Sequence, residues 1–159
     1  MSDLKTQAEA VGHIPSGLFI VTTFDGETKE GYLASWVQQV SFSPLLISLA
    51  VNPDRRGYQH LISGKAFSIN IVGDHEMGYL KHFWSGYAPE NNPFNQIEHE
   101  VTANNTVAFK NAKSTIECVF VSKSKPGDHE IVIAEVINSI HHHPESKSKI
   151  HLRKSGLDY

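Results

Sequence analysis

Apolar positions along the chain gather mostly into short runs with β-like spacing. Leu45 to Val51 (LLISLAV) is uncharged and partly β-branched, and it predicts a strand buried on both faces. Gly17 to Thr23 (GLFIVTT) predicts another, and Asp25-Gly26 supplies a hairpin signal into a strand around Glu30–Ser35. Ala66 to Val72 (AFSINIV) alternates in part. Thr115–Lys123 and His129–Ile140 are long β-rich segments joined by KSKPGD, which reads as a hairpin connection. Helical signals are fewer. Residues 3–12 have helix-forming composition, with Ser2 or Asp3 as cap and a stop at Gly12 before Pro15. Arg55–Ser63 carries Tyr58, Leu61 and Ile62 at helical spacing and closes at Gly64; His75–Trp84 carries Met77, Leu80, Phe83 and Trp84. Residues 85–96 (SGYAPENNPFNQ) predict a loop of a length that is usually functional or mobile. The tail, HHHPESKSKIHLRKSGLDY, is polar with anchors at Ile150, Leu152, Leu157 and Tyr159.

Six or so strands with two or three small helices predict an antiparallel barrel with helical additions. An open α/β sheet would need a helix between most strands, and only two connections could hold one. The 159 residues show no repeat and no composition break, so a single domain over 1–159 is expected. A formal net charge of -3 offers no basic field for nucleic acid and no polybasic membrane patch. No apolar run approaches the roughly 20 residues of a membrane span. The one cysteine, Cys118, leaves no internal disulfide and no thiolate metal cluster, and the acidic N-terminus lacks the apolar core of a secretory signal. A cytoplasmic protein is expected.

The chemistry begins with absences: no G-x-G-x-x-G after a strand, no P-loop, no G-x-S-x-G elbow. Before the 45–51 strand lies a segment of small and hydroxyl residues (Ala34, Ser35, Ser41, Ser43), amides (Gln38, Gln39) and Trp36; after it come Asn52-Pro53 and Arg55-Arg56. A donor-rich loop on one side of a strand and cations on the other could hold a flat, phosphorylated ligand, but spacing does not say which. Arg55-Arg56 reads equally as solvated charge or as a phosphate clamp, since guanidinium forks pair with phosphate oxygens. His129, after Pro126-Gly127-Asp128, is either an exposed imidazole in an ordinary turn or one held at a barrel rim within reach of a cofactor. His141-His142-His143 reads as a polar strand end, because alternate residues face opposite ways and no second cluster completes a metal site. Cys118, among Ile116, Val119 and Phe120, reads as a small buried hydrophobe. Phe83, Trp84, Tyr87 and Phe94 suit a core, a dimer interface or a lid over a planar ligand.

Taken in order, PSGLFIVTTFDG, GYLASWVQQVSFSP with LLISLAV, GKAFSINIV, PGDHEIVIAEV and HLRKSGLDY resemble the flavin reductase-like family. Its fold is the FMN-binding split β-barrel, a mainly β, antiparallel Greek-key barrel with a few short helices. The likeness is greatest to stand-alone reductases and to the flavin reductase domains attached to flavodiiron proteins. It implies non-covalent FMN, or FAD, usually in a homodimer with the flavin near the interface. It also implies NAD(P)H:flavin oxidoreductase activity, with hydride passing from NADH or NADPH to the flavin when the two rings stack at about 3.5 Å. Residue by residue, Leu33, Ala34, Ser35, Trp36, Val37, Gln38 and Gln39 with Ser41 would line the ring and ribityl chain. Asn52, Arg55 and Arg56 would lie near the phosphate, and His129 matches the family's G-D-H histidine at the flavin or nicotinamide site. Many members have Thr and Ser where this chain has Leu33 and Trp36, and Trp36 could stack on the isoalloxazine or shield it. A redox protein partner fits the same resemblance. The alternative is a flavin-binding electron-transfer or storage protein without NAD(P)H oxidation of its own.

Overall fold

Two strands that follow each other in the chain stand at opposite edges of one sheet. The computed structural model describes residues 3–158; Ser2 and Tyr159, read above as a cap and an anchor, lie outside them. The strands are β1 (Ser16–Gly17), β2 (Phe19–Phe24), β3 (Lys29–Ala34), β4 (Val37–Ser41), β5 (Leu46–Val51), β6 (Phe67–Ile71), β7 (His99–Val101), β8 (Val107–Phe109), β9 (Ser114–Ser124), β10 (Glu130–His141) and β11 (Ile150–His151). Seven of them pair antiparallel in the order β3-β2-β6-β9-β10-β5-β4. Only Ser35 and Trp36 connect β3 to β4. Three Cα–Cα steps reach at most about 11 Å, so the two edges must curl together and the sheet becomes a split barrel.

The alternation of side chains then makes two cores. Val21, Tyr32, Ile47, Leu49, Phe67, Ile69, Cys118 and Val132 fill the barrel. Leu18, Ile20, Phe83, Phe94, Val107 and Phe109 pack on the other face of β2 and β6. Strand β2 is therefore buried on both sides. The expectation of two buried faces for 45–51 needs correction: Ile47, Leu49 and Val51 are inside, whereas Leu46, Ser48 and Ala50 are half-covered and Leu45 is exposed outside the strand. Cys118 is fully buried, and burial pushes its thiol up to about 12, which fits a packing role.

Helix α1 (Leu4–Gly12) is capped by Asp3, whose carboxylate accepts from Lys5 N at 3.2 Å. The two other expected helices are shorter. Of 55–63 only α2 (Tyr58–Leu61) is helical, because Gly57 holds a left-handed φ of 73° at its start. A Cβ at Gly57 would also sit 2.5 Å from Thr23 Oγ1. Of 75–84 a single 3₁₀ turn (Gly78–Leu80) and α3 (Lys81–Trp84) form. The 85–96 segment contains 3₁₀ turns at Pro89–Asn91 and Pro93–Asn95, each begun by proline, and it buries Phe94. The tail returns across the fold: β11 pairs with β1, and Gly156 N donates to Ala8 O of α1 at 2.6 Å.

A buried polar layer joins the second core to the sheet. Asn70 donates to Ile20 O (3.1 Å) and accepts from Phe109 N and Thr115 Oγ1, both at 2.8 Å. Glu117 is fully buried and accepts hydrogen bonds from Thr102, Thr106 (2.6 Å), Asn104 (2.8 Å) and Asn138. Burial works to raise its pKa, but those four donated hydrogen bonds outweigh burial and hold the carboxyl below its ordinary 4.5. The charged carboxylate thus stabilises the fold fully above the unfolded value, and that contribution is lost as pH falls through the lower folded value. We expect Glu117→Gln to cost about 2 kcal/mol at neutral pH by misaligning buried donors, and to flatten the acid limb of stability between the unfolded and folded values. Urea melts from pH 3 to 7 check this; an unchanged midpoint and acid limb would remove Glu117 from this role.

Candidate functional site

Where the edges of the barrel meet, Leu33–Trp36 turn from β3 into β4, and Ala50 N donates to Trp36 O at 3.0 Å, fixing the crossover against β5. Three recesses adjoin here and share Ser35. The inner one, of about 90 Å³, is walled by Leu18, Leu33, Ala34, Arg55 and Trp84. A tight slot beside it is bounded by Tyr32, Asn52, Arg55 and His129. The outer groove, of about 690 Å³, runs over Val37, Gln38, Ala50 and Ile131 toward Ile14 and Ile150. The half-covered face of β5 is a wall of this groove, which is why its burial is incomplete.

Local chemistry shapes the approach from the other side. Asn52 Oδ1 accepts from Asp54 N at 2.9 Å and Arg55 N donates to Asn52 O at 3.0 Å, a turn that presents Arg55 to the recess. The Arg55 guanidinium carbon lies 6.0 Å from the Tyr32 ring centre. Arg56 is placed differently. It stacks on Tyr87 (4.7 Å) and donates to Tyr87 O at 2.8 Å, while Tyr87 OH accepts from Gly31 N at 3.2 Å. Burial, opposed by that hydrogen bond, keeps the Tyr87 phenol above its ordinary value.

On the third side stands the β9–β10 turn. Only 17% of the His129 side chain is exposed, against 93% for Asp128, so the imidazole is turned into the fold. Its Nδ1 lies 2.9 Å from Asp128 Oδ1, and that hydrogen bond holds the Asp128 carboxyl below the usual range. Tyr58 OH donates to Glu130, and Lys123 Nζ donates to Tyr58 OH at 2.9 Å and to Glu130 Oε2 at 3.0 Å. The hydrogen bonds from Tyr58 and Lys123 hold the Glu130 carboxyl low and fasten this turn to α2.

Leu33, Ala34, Ser35, Trp36, Val37, Gln38, Asn52, Arg55 and His129 are thus brought around one cleft. Gln39 and Ser41 lie farther along β4, where Gln39 Nε2 donates to Ser41 O at 3.3 Å, and they do not line these recesses. Phe83 and Phe94 belong to the second core, Tyr87 ties down its loop, and Trp84 alone of that aromatic set stays exposed, at the rim. Two contributors were missed in the sequence. His151 lines the inner recess, with burial first and then Arg153 and Lys149 holding its imidazole below the ordinary value. Arg153 lines the outer groove with its guanidinium carbon 5.2 Å from the Trp36 ring centre. They stand in the HLRKSGLDY stretch that carries part of the family resemblance, but no role at the cleft was read from it. Among the described residues no group of three or more His, Cys, Asp or Glu could hold a metal ion, and no helix is long and apolar enough to cross a membrane.

Residues 11–155 match the family described as flavin reductase like domain. The chain belongs to this family. It is 33% identical over 153 residues to a putative diflavin flavoprotein A 6 of Nostoc sp., covering 95% of this chain and 27% of that protein. It is also 33% identical over 160 residues to diflavin flavoprotein A 1 of Synechocystis sp., covering 99% of this chain and 27% of that one. The chain therefore spans about a quarter of the length of these relatives. The NADH:FAD oxidoreductase SgcE6 of Streptomyces globisporus superposes with a TM-score of 0.81 at 22% identity, over 92% of this chain and 86% of its own. That likeness fixes the fold as the family's split barrel.

Removing the Arg56 side chain should free the 85–96 segment. We expect Arg56→Ala to raise amide exchange in that segment by about thirtyfold, with β9 and β10 unchanged, since an exposed cation–π contact and one hydrogen bond are each worth about 1 kcal/mol. Exchange mass spectrometry reads this directly, and unchanged protection would dissolve the assigned tie.

Proposed function

We propose that the cleft binds FMN, with FAD as the alternative, and that the protein is an NAD(P)H:flavin oxidoreductase. The observation that supports this reading is the barrel crossover. The main chain and small side chains at Ala34 and Ser35 leave room for close approach beside a presented guanidinium, while a ring-sized groove opens on the other side of Ser35. Those donors fit the group. Arg55 would hold the phosphate, with Asn52 shaping its turn, and Leu33–Gln38 would bound the ring and its chain. Arg56 contributes by holding Tyr87 and the adjoining segment. His129, braced by Asp128, would orient the nicotinamide of NADH or NADPH. The flavin, when bound, supplies the hydride acceptor; the residues of this chain bind it, orient it and exclude water.

Exposed Val40, Phe42 and Leu45 lie at the β4–β5 end of the sheet beside Ile137 of β10, and we assign this patch to a homodimer contact. Solved structures and relatives supply the partner classes: SgcE6 has been described in complex with NAD and FAD fragments, and the diflavin flavoproteins carry this domain within a longer chain. A redox protein as electron acceptor follows from that second case.

Arg55→Ala should weaken FMN binding by about tenfold and riboflavin binding by less than about twofold, because only FMN carries the phosphate that the guanidinium pairs with. Equal losses, by fluorescence titration, would sink the phosphate assignment. His129→Ala should slow flavin reduction by about tenfold at saturating NADH while changing flavin affinity less than about threefold. Anaerobic stopped-flow absorbance separates the two quantities. A wild-type protein that binds FMN but is not bleached by NADH or NADPH would instead be an electron carrier.

A further inference from the structure

Two compartments of the cleft differ greatly in size, and Ser35 borders both. Small-molecule sites usually occupy about 300–1,000 Å³. The inner recess, at about 90 Å³, is too small for a fused ring system, whereas the outer groove, at about 690 Å³, is large enough. Arg55 lies on the inner side and Ser35 touches both. Trp36 lines the outer groove and the slot that contains Arg55 and His129.

Among the described residues, three contacts hold Trp36 there. Its carbonyl accepts from Ala50 N at 3.0 Å. The His129 ring meets the indole at 5.0 Å between centres with an interplanar angle of 64°, an edge-on contact. The Arg153 guanidinium carbon stands over the ring at 5.2 Å, within the range of a cation–π contact. Arg153 is in turn held by the tail: its N–H donates to Gly12 O at 3.4 Å and its Nη1 donates to Asp158 O at 3.1 Å. Gly12 permits that crossing, since a Cβ there would lie 2.8 Å from Ser155 N.

We propose that Trp36 is a specificity-determining residue, the wall shared by the ring-sized groove and the slot that holds Arg55 and His129, and that Arg153 is the positioning residue that holds the indole in place. The ligand class that satisfies this geometry is a planar ring system joined to its phosphate by a chain that passes along Ser35, with the ring packed against Trp36. This rests on the flavin reading of the cleft and adds which residue bounds the ring and what holds that residue in place.

The test uses the full chain in a Trp84→Phe background, which leaves Trp36 as the one tryptophan, with FMN, riboflavin and the ring-only probe lumiflavin. Binding of each should quench Trp36 emission in that background, and the affinities of all variants, Trp36→Ser included, are read from the fluorescence of the flavin probe itself. Trp36→Ser should weaken lumiflavin and FMN by a common factor of about tenfold, the scale of losing one aromatic stack, and leave the FMN-to-riboflavin affinity ratio unchanged. Arg153→Gln should raise acrylamide quenching of Trp36 and weaken lumiflavin by about threefold, and Arg153→Lys, which keeps the cation, should restore both. Circular dichroism and melting of each variant identify any that fail to fold. Wild-type protein that binds no flavin would overturn the reading of the cleft and this inference with it. Flavin binding that survives in wild type while Trp36→Ser binds lumiflavin equally well would overturn the Trp36 assignment alone. An Arg153→Lys variant indistinguishable from Arg153→Gln would overturn the role of Arg153.

Discussion

The structure depends on a two-residue connection. Because Ser35 and Trp36 alone join β3 to β4, the edges of a seven-stranded sheet are drawn together, and no flat arrangement satisfies the chain. Closure sets the inner core of Val21, Leu49, Phe67 and Val132. It also leaves a seam, because β3 and β4 stand at opposite ends of the strand order and do not pair with each other. The cleft lies at that seam. The same constraint that shapes the barrel therefore sets Leu33 and the short side chains of Ala34 and Ser35 along the wall of the inner recess beside Arg55.

Distant segments converge on the seam for separate physical reasons. The Asn52 turn aims Arg55 and leaves Arg56 to Tyr87. The Tyr58–Lys123–Glu130 network fixes the turn that carries His129. The tail brings His151 and Arg153 by pairing β11 with β1 and crossing α1 at Gly12. Each anchor is a local hydrogen-bonded or packed unit, so the site is carried on rigid elements although its lining comes from six parts of the chain.

Much of this was legible in the sequence, and its limits follow from residue chemistry. Alternation and turn residues disclosed β2, β3, β5, β6, β9 and β10, and Asp128-His129 was legible as a turn. Strand β4 was read as loop because its Gln38 and Gln39 lie on an exposed edge and carry no apolar signal. Strands β7, β8 and β11 are two or three residues long, below the length at which a period of two can be recognised. The helices were read too long because Gly57 and Gly78 interrupt apolar spacings that would otherwise continue. Arg55 and Arg56 are adjacent and alike in type, and only the structure separates Arg55, which lines the inner recess and the slot, from Arg56, which stacks on Tyr87 and lines with it and Arg55 a neighbouring recess. Neither His151 nor Arg153 could be found from pattern, since the tail reaches the cleft only through pairing with β1.

Hydrogen exchange of the wild-type protein with and without FMN tests the central claim most directly. The account predicts new protection concentrated in peptides covering 33–38 and 52–57, with lesser protection at 129–131 and 149–153. Protection confined to another surface, with the 33–38 crossover unchanged under saturating FMN, would contradict it.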